Sequence, residues 1–217
     1  MKFTKKIMTM ATCAVMAASS MVGMSASAVY EGGNTQAFSQ SVTPYAVSSY
    51  ELDNVIGYPQ EYSNWCWVAC TQTALKFVGV TKTQTQIYKK AKNTDTVENL
   101  TGTFADINRA ITGFGETAFT TSTNPTFTGI SDKIDDRYIV IIRGLKGNST
   151  VGHDIICYGF TNDTSTGTYT LSIYDPSTLN GGEGTLTCST KSSTNFTMTI
   201  GDSYTTTFNA TNYMYGR

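Results

Sequence analysis

Apolar and polar residues between about Trp65 and Val78 alternate with the period of an amphipathic helix. A polar stretch precedes this segment, and Ser63 or Asn64 is placed to cap the first free N–H groups of the helix. Gly79 follows the segment, and glycine suits the left-handed position after a helix C-terminus. The pattern therefore predicts a helix that begins directly after a polar turn.

Two further helices and a third, short one are indicated downstream. They cover about residues 83–92, 104–112 and 129–136. Thr103 lies three residues before Asp106 at the start of the second helix, a spacing typical of a capping box. The connecting residues are rich in Thr, Ser, Asn and Pro, as is usual in loops. The first part of the chain is therefore predicted to be helical.

The second part of the chain changes to the patterns of strands. Residues 138–143 form a continuous apolar run, and residues 153–160 and 168–174 form two more strand-like segments. The chain then becomes rich in Thr with a period of two, as over 196–200 and 204–208. Such alternation predicts antiparallel strands with one solvated face. Helices followed by an antiparallel sheet predict an α+β fold.

The N-terminal residues have the features of a secretory signal. Three lysines precede an apolar stretch over residues 7–24, and Ala26-Ser27-Ala28 supplies an A-x-A cleavage site. We therefore expect residues 1–28 to be a signal peptide and the rest of the protein to be secreted. Residues 29–50 lack periodicity and predict a flexible lead-in, so residues 51–217 are predicted to form a single domain.

Charge and cysteine content narrow the possible functions. Removing the signal takes away three of the 15 basic residues and none of the 16 acidic ones, which leaves a net charge of −4. A mildly acidic protein without a basic cluster is not expected to bind nucleic acid or an anionic membrane. The cysteines are too few for a disulfide-stapled scaffold. The cysteines outside the signal are Cys66, Cys70, Cys157 and Cys188, and a disulfide between two of the last three stays open.

Cys66 and His153 are the candidate nucleophile and base. Cys66 lies in the first turn of the predicted helix, where the helix dipole and unpaired N–H groups favour a thiolate. A cysteine nucleophile normally shares its proton with an imidazole, and His153 is the one histidine in the chain. Taken singly, each residue is more often structural, as a small buried cysteine or a hydrogen-bonded core histidine.

Asp175 is the candidate residue that orients the histidine. It continues the alternation of apolar residues along 168–174, and so it points to the core side of its strand. A symmetric hairpin around the turn at 161–167 would place His153 directly opposite Asp175, within reach of a hydrogen bond. A slip of one residue would put the two side chains on different faces. A turn at the Asp175–Pro176 dipeptide explains the aspartate equally well without chemistry.

These residues together resemble the papain-like cysteine peptidases. The pattern Gln-x-x-Ser-x-Trp-Cys-Trp-x-Ala, which starts at Gln60, resembles most closely a bacterial branch with bacteriocin leader peptidases and avirulence-effector peptidases. The similarity covers roughly residues 58–176. The fold it implies has a helical N-terminal half, with the nucleophile on a central helix. This half would pack against a C-terminal antiparallel sheet or half-barrel, with a cleft between the two.

The resemblance also implies roles for the candidate residues. Cys66 would be the nucleophile, His153 the general acid and base, and Asp175 the residue that orients the imidazole. Gln60 would donate a hydrogen bond to the oxyanion beside the Cys66 N–H. Such an enzyme is expected to be a secreted monomeric endopeptidase without cofactor or metal, acting on a protein or peptide, with a protein inhibitor as a further partner.

Three other interpretations of the same residues are open. Cys66, Cys70, Cys157 and His153 could form a zinc site, although structural zinc usually draws its ligands from tight turns. The same Cys–His order also occurs in hydrolases that act on cell-wall peptides. A binding domain that retains the shell of a peptidase without its activity is the third alternative.

Overall fold

The structure is a computed structural model that describes residues 47–217. The predicted signal peptide and most of the predicted lead-in lie outside the described residues. Those that are described belong to one compact unit, Thr43–Arg217. Among them, none of the helices has the length and apolar character needed to cross a membrane.

Four helices occur among the described residues, where the apolar periodicity predicts them. They are α1 (Cys66–Phe77), α2 (Gln84–Lys92), α3 (Phe104–Gly113) and α4 (Phe127–Asp135). Capping boxes open two of them, at Thr83 with Gln86 and at Thr103 with Asp106, and each satisfies N–H groups of the first turn.

Helix α1 differs from the predicted helix at its start. Its N-cap residue is Trp65, which makes no side-chain cap hydrogen bond, so the prediction that Ser63 or Asn64 caps the helix is wrong. The predicted end is confirmed, because Gly79 has a φ of 91° and its N–H bonds Lys76 O. A first turn without a side-chain cap leaves N–H groups free, and Cys66, the candidate nucleophile, is the first residue of this turn.

Eight strands complete the part of the fold that residues 47–217 form. They are β1 (Val47–Glu51), β2 (Thr120–Ser122), β3 (Ile139–Lys146), β4 (Gly152–Asp163), β5 (Thr168–Asp175), β6 (Gly182–Cys188), β7 (Asn195–Ile200) and β8 (Tyr204–Gly216). The described strand order is β1-β4-β3-β8-β7-β6-β5, and β5 also pairs with β4. This last pairing closes β3 to β8 into an antiparallel barrel. The α+β prediction is confirmed, and the sheet is a closed barrel where an open sheet or half-barrel was expected.

Strand β1 falls partly within the segment predicted to be flexible. Its residues 47–50 pair with the distal half of β4, so the predicted lead-in is wrong for these four positions. The strand is mostly exposed, and its side chains give little apolar periodicity to recognise. Backbone pairing at the edge of the sheet holds it there.

The β4–β5 hairpin contains a bulge that decides which side chains share a face. Near its turn Asp163 pairs with Thr168, whereas Cys157 pairs with Ile173, and Tyr158 is the extra residue between the two registers. Continuing the second register places Ile155 beside Asp175. Residues two positions apart share a face, so His153 and Asp175 do as well. Without the bulge, Asp175 would share its face with Asp154.

The core lies between the helices and the barrel. Helix α1 packs against β4 and β3, and the four isoleucine and valine residues at 139–142 are fully buried. Trp65 and Trp67 are also buried, and the Trp65 ring stacks on Tyr88 with 4.9 Å between ring centroids. Packing is therefore the main role of Trp65. The start of α1 is thereby fixed against the barrel.

Candidate active site

Asn99 makes three hydrogen bonds with the turn before Cys66. Asn99 accepts from the Asn64 N–H through its side-chain oxygen at 2.9 Å and donates to Ser63 Oγ at 2.8 Å. Its backbone oxygen accepts from the side-chain amide of Asn64 at 2.9 Å. Three hydrogen bonds from one residue fix the turn from which α1 starts, and with it the position of the cysteine.

The two tryptophans beside Cys66 extend the same support. The indole of Trp65 donates to Glu98 O at 3.0 Å, and that of Trp67 donates to Leu100 O at 3.1 Å. Buried indoles usually find such a partner. The 98–101 loop is therefore attached to the first turn of α1 and forms one wall beside the cysteine.

His153 lies between Asp175 and Cys66. Its Nε2 is 2.7 Å from Asp175 Oδ1, and the Cys66 thiol lies near enough to the ring to raise the pKa of His153. Because Asp175 occupies Nε2, Nδ1 is the nitrogen left for the thiol. The structure thus brings together the three residues predicted to act together. It does so in a register other than the predicted one, with Asp175 diagonal to His153.

Asp175 is fully buried and has two more partners. Its Oδ1 accepts from the Ser177 N–H at 2.8 Å, and its Oδ2 accepts from Lys146 Nζ at 2.7 Å. A buried carboxylate needs donors of this kind to stay charged. Burial raises the pKa of Asp175, but the hydrogen bonds from His153 and Lys146 outweigh it and hold the pKa below its usual range.

The same contacts act on the histidine in the opposite sense. Burial lowers the pKa of His153, but the hydrogen bonds with Asp175 and Cys66 outweigh it and raise the pKa from 6.5 to about 10. The imidazole is therefore protonated at neutral pH in the resting protein. A protonated ring therefore lies beside the cysteine at the start of α1.

A second ion pair lies next to the first, on the other face of the same strands. Arg143 donates to Asp154 through Nε at 2.7 Å and through Nη2 at 2.6 Å, in a bidentate pair. The two residues are directly paired between β3 and β4. The Arg143 guanidinium also lies over the Phe104 ring at 4.6 Å. The Asp154 carboxylate points to the other face and makes no hydrogen bond to the His153 ring.

Cys66 and His153 open onto one cleft with a volume of about 590 Å³. Its walls come from the turn before α1, the 101–102 loop and the barrel loops on either side of His153. Both cation–carboxylate pairs reach it, through Arg143 with Asp154 and through Lys146. The remaining lining residues are Ser63, Asn64, Trp67, Thr101, Gly102, Ser149, Val151, Gly152, Ser177, Leu179, Asn180 and Tyr204.

Gln60 is buried beside the site and does not line the cleft. Its side-chain amide donates to Tyr62 O at 2.9 Å and to Ser63 O at 2.8 Å, which uses both of its hydrogens. Its backbone N–H donates to Pro176 O at 2.8 Å. In this resting arrangement Gln60 joins the turn before Cys66 to the residue that follows Asp175.

The cysteines of the described residues are all free. Burial raises the pKa of the Cys157 thiol to about 12, and burial together with Asp154 raises that of Cys70 well above its usual value. Both thiols are therefore neutral at physiological pH. Within residues 47–217, no three His, Cys, Asp or Glu side chains are gathered as ligands of a metal ion.

Three features of the site were not found from the sequence. Each depends on contacts between residues that are distant in the sequence, and these contacts require a strand register or a loop conformation that the sequence does not reveal. The three are Lys146, Asn99 and the Arg143–Asp154 pair. The sequence does contain a signal for the Arg143–Asp154 pair. A charged residue directly follows the apolar run of β3, and another directly precedes the apolar run of β4. A cation and an anion at such positions are typical of cross-strand partners.

The comparison with protein families places these observations in context. The model of the Peptidase_C39 like family matches residues 52–207, more than half of the chain. The chain belongs to this family, which supports a papain-like cysteine peptidase. A comparison with curated proteins finds no significant match.

Proposed function

We propose that the protein is a secreted cysteine endopeptidase in which Cys66, His153 and Asp175 carry the reaction. The contact of one imidazole with both the thiol and a buried carboxylate is the observation that carries this proposal. The chain has no other histidine to serve as base. Secretion rests on the N-terminal signal, and assignment to the bacterial branch rests on the residues around Cys66.

The first half of the reaction forms a thioester. The Cys66 thiolate attacks the carbonyl carbon of a peptide bond, and the oxyanion forms next to the free N–H groups at the start of α1. His153 then gives its proton to the leaving amine as the carbon–nitrogen bond breaks. Asp175 keeps the imidazolium in the required orientation throughout.

The second half returns the enzyme to its resting state. His153, now neutral, takes a proton from a water molecule, and the resulting hydroxide attacks the thioester carbon. The carbon–sulfur bond breaks, the product acid leaves, and the thiolate and imidazolium form again. Gln60 serves as the second oxyanion donor in this scheme by exchanging one of its two carbonyl partners for the substrate oxygen.

The proposal is tested by selective alkylation of Cys66. An epoxide inhibitor of cysteine peptidases is expected to label Cys66 at neutral pH much faster than Cys188, because only Cys66 has an imidazolium beside it. Cys188 is a good internal control, since it is also free and partly exposed. Peptide mapping by mass spectrometry after timed labelling gives both rates in one sample.

Two variants complete the test. His153→Ala should reduce labelling of Cys66 to the rate of Cys188, and Cys66→Ala should abolish cleavage of casein. Equal labelling of the two cysteines in the unmodified protein would instead support a binding domain without activity. Cleavage of cell-wall peptides but not casein would support the cell-wall hydrolase.

A further inference from the structure

Asp175 binds two cations at once. Its Oδ1 accepts from His153 and its Oδ2 accepts from Lys146, each at 2.7 Å. The carboxylate is fully buried, and the Lys146 side chain is only 14% exposed. Lys146 therefore interacts with Asp175 in a setting where water screens the charge poorly, unlike the lysine of an ordinary surface ion pair.

Lys146 also links the end of β3 to the loop that follows β5. It is the last residue of β3, and its Nζ donates to Asn180 O at 3.1 Å as well as to Asp175. The aromatic ring of Tyr204 lies under the ammonium group at 4.9 Å. One side chain thus connects the end of β3, the catalytic carboxylate and the loop that follows β5.

The position of Lys146 in the sheet explains why it reaches Asp175. Gly144 pairs with His153 between β3 and β4, so Lys146 lies on the same face two residues further on. Asp175 shares this face because of the bulge at Tyr158. The three charged groups therefore converge through register alone.

Lys146 has a predictable electrostatic effect on the histidine. A second cation on the same carboxylate weakens the attraction between Asp175 and the imidazolium. Other ionisable or aromatic groups around the pair are Cys66 and Cys70 on α1, Arg143 on β3, Asp154 on β4, Tyr174 on β5 and Tyr204 on β8. Among the described residues, Lys146 and His153 are the two side chains that hydrogen-bond Asp175.

We propose that Lys146 is a positioning residue of the peptidase reaction, which fixes Asp175 and the loop after β5 and limits how firmly the imidazolium holds its proton. The inference rests on the proposed function. An imidazolium held too firmly donates poorly to the leaving amine, because proton transfer depends on the acidity of the donor. Lys146 therefore acts on the chemical step through Asp175 and His153.

The direct test is a titration of the single histidine by NMR. With histidine labelled isotopically, the imidazole signals belong to His153 alone. Lys146→Met is expected to move the midpoint of this titration to higher pH, because Asp175 then acts on the imidazolium alone. Lys146→Arg should restore the midpoint toward that of the unmodified protein, since arginine supplies the same charge.

A matched control is available on helix α4. Lys133 also pairs with an aspartate, Asp136 at 3.7 Å, and also lies over a tyrosine ring, Tyr215 at 5.1 Å. Lys133→Met should leave the His153 midpoint unchanged. If Lys146→Met does not fold, Lys146→Gln keeps a hydrogen-bond donor while it removes the charge, and the same upward shift is expected.

Kinetics give a second readout. The kcat of Lys146→Met is expected to fall on the order of 10-fold with little change in KM, and the alkaline limb of the pH profile should move upward. A midpoint that stays the same or falls in both Lys146→Met and Lys146→Gln would overturn the inference. The titration needs no turnover, so it tests the effect of Lys146 on His153 separately from peptidase activity, and failure of this inference can be distinguished from failure of the proposed function.

Discussion

Two buried aspartates, Asp154 and Asp175, lie on opposite faces of adjacent strands and are both fully buried. Each is paired with a cation from β3, at 2.6 to 2.7 Å. Asp154 gives both oxygens to Arg143, whereas Asp175 divides its oxygens between Lys146 and His153. The first pair is complete in itself, and the second includes a ring that can release its proton.

Under the proposed function, the difference explains why one of these two buried ion pairs takes part in the reaction and the other does not. Burial of the Arg143 guanidinium lowers its pKa, but the hydrogen bonds to Asp154 outweigh this effect and raise it, so the guanidinium keeps its charge at all physiological pH values. The imidazole of His153 carries a proton that it can pass on. Equal burial and equal distances therefore do not imply equal function. The chemistry of the partner decides it.

The largest expected effect concerns activity. Asp175→Asn should lower kcat by about 10²- to 10⁴-fold, because the imidazolium loses its stabilising charge and its fixed orientation. Asp154→Asn should lower kcat by less than about 10-fold if the protein is folded, since Asp154 does not touch His153. Peptide hydrolysis at neutral pH, normalised to the fraction of Cys66 that can be labelled, measures both. Similar losses in the two variants would remove the distinction between the pairs.

The next effect concerns stability, and we expect it at Asp154, the aspartate that matters less for activity. Asp154→Leu leaves Arg143 without its partner in a largely buried site, which should lower the free energy of unfolding by about 3 kcal/mol. The double variant with Arg143→Met should regain most of this loss, because an apolar pair of similar size replaces the ion pair. Urea denaturation of the single and double variants gives the coupling. A single variant as stable as the parent protein would show that water screens this pair.

The last effect, which is the smallest per pH unit, is a pH dependence of stability that the second of these two pairs provides and the first does not. The pKa of His153 is about 10 in the folded protein and about 6.5 when unfolded, so the folded state binds more protons between these values. The stabilisation is fully present below about pH 6.5 and is lost as the pH rises through about 10. The slope is at most about 1.4 kcal/mol per pH unit for one group.

Denaturation at several pH values in this window tests the assignment. His153→Gln should flatten the slope, whereas Asp154→Asn should keep it at a lower overall stability. If His153→Gln retains the full slope, another group is responsible for it.

The sequence predicted the contact between His153 and Asp175 through a register that the structure does not have. A symmetric hairpin placed them directly opposite, whereas the structure has a different turn register and a bulge at Tyr158. These two departures leave the two side chains on one face. A bulge arises from packing against neighbouring strands and helices, and the local pattern of residues does not specify it.

The helix boundaries likewise show that features with local causes can be predicted from the sequence, whereas features with non-local causes cannot. Thr83 and Thr103 cap their helices through residues three positions away, which a sequence reveals directly. Ser63 and Asn64 are instead held by Asn99, 35 residues from Asn64, and so they are not available as caps of α1. Lys146 was missed for a related reason, because its partner lies 29 residues away.

The bulge at Tyr158 also bears on how this hairpin can vary among relatives. The pairing register of the hairpin changes by one residue at this bulge. Inserting or deleting one residue within either strand would therefore turn the histidine away from the aspartate. Relatives whose strands differ in length by an odd number must gain or lose a bulge to keep the pair, whereas an even difference requires no such change. The parity of strand length is thus an inherited constraint that a comparison of residue identities alone would overlook.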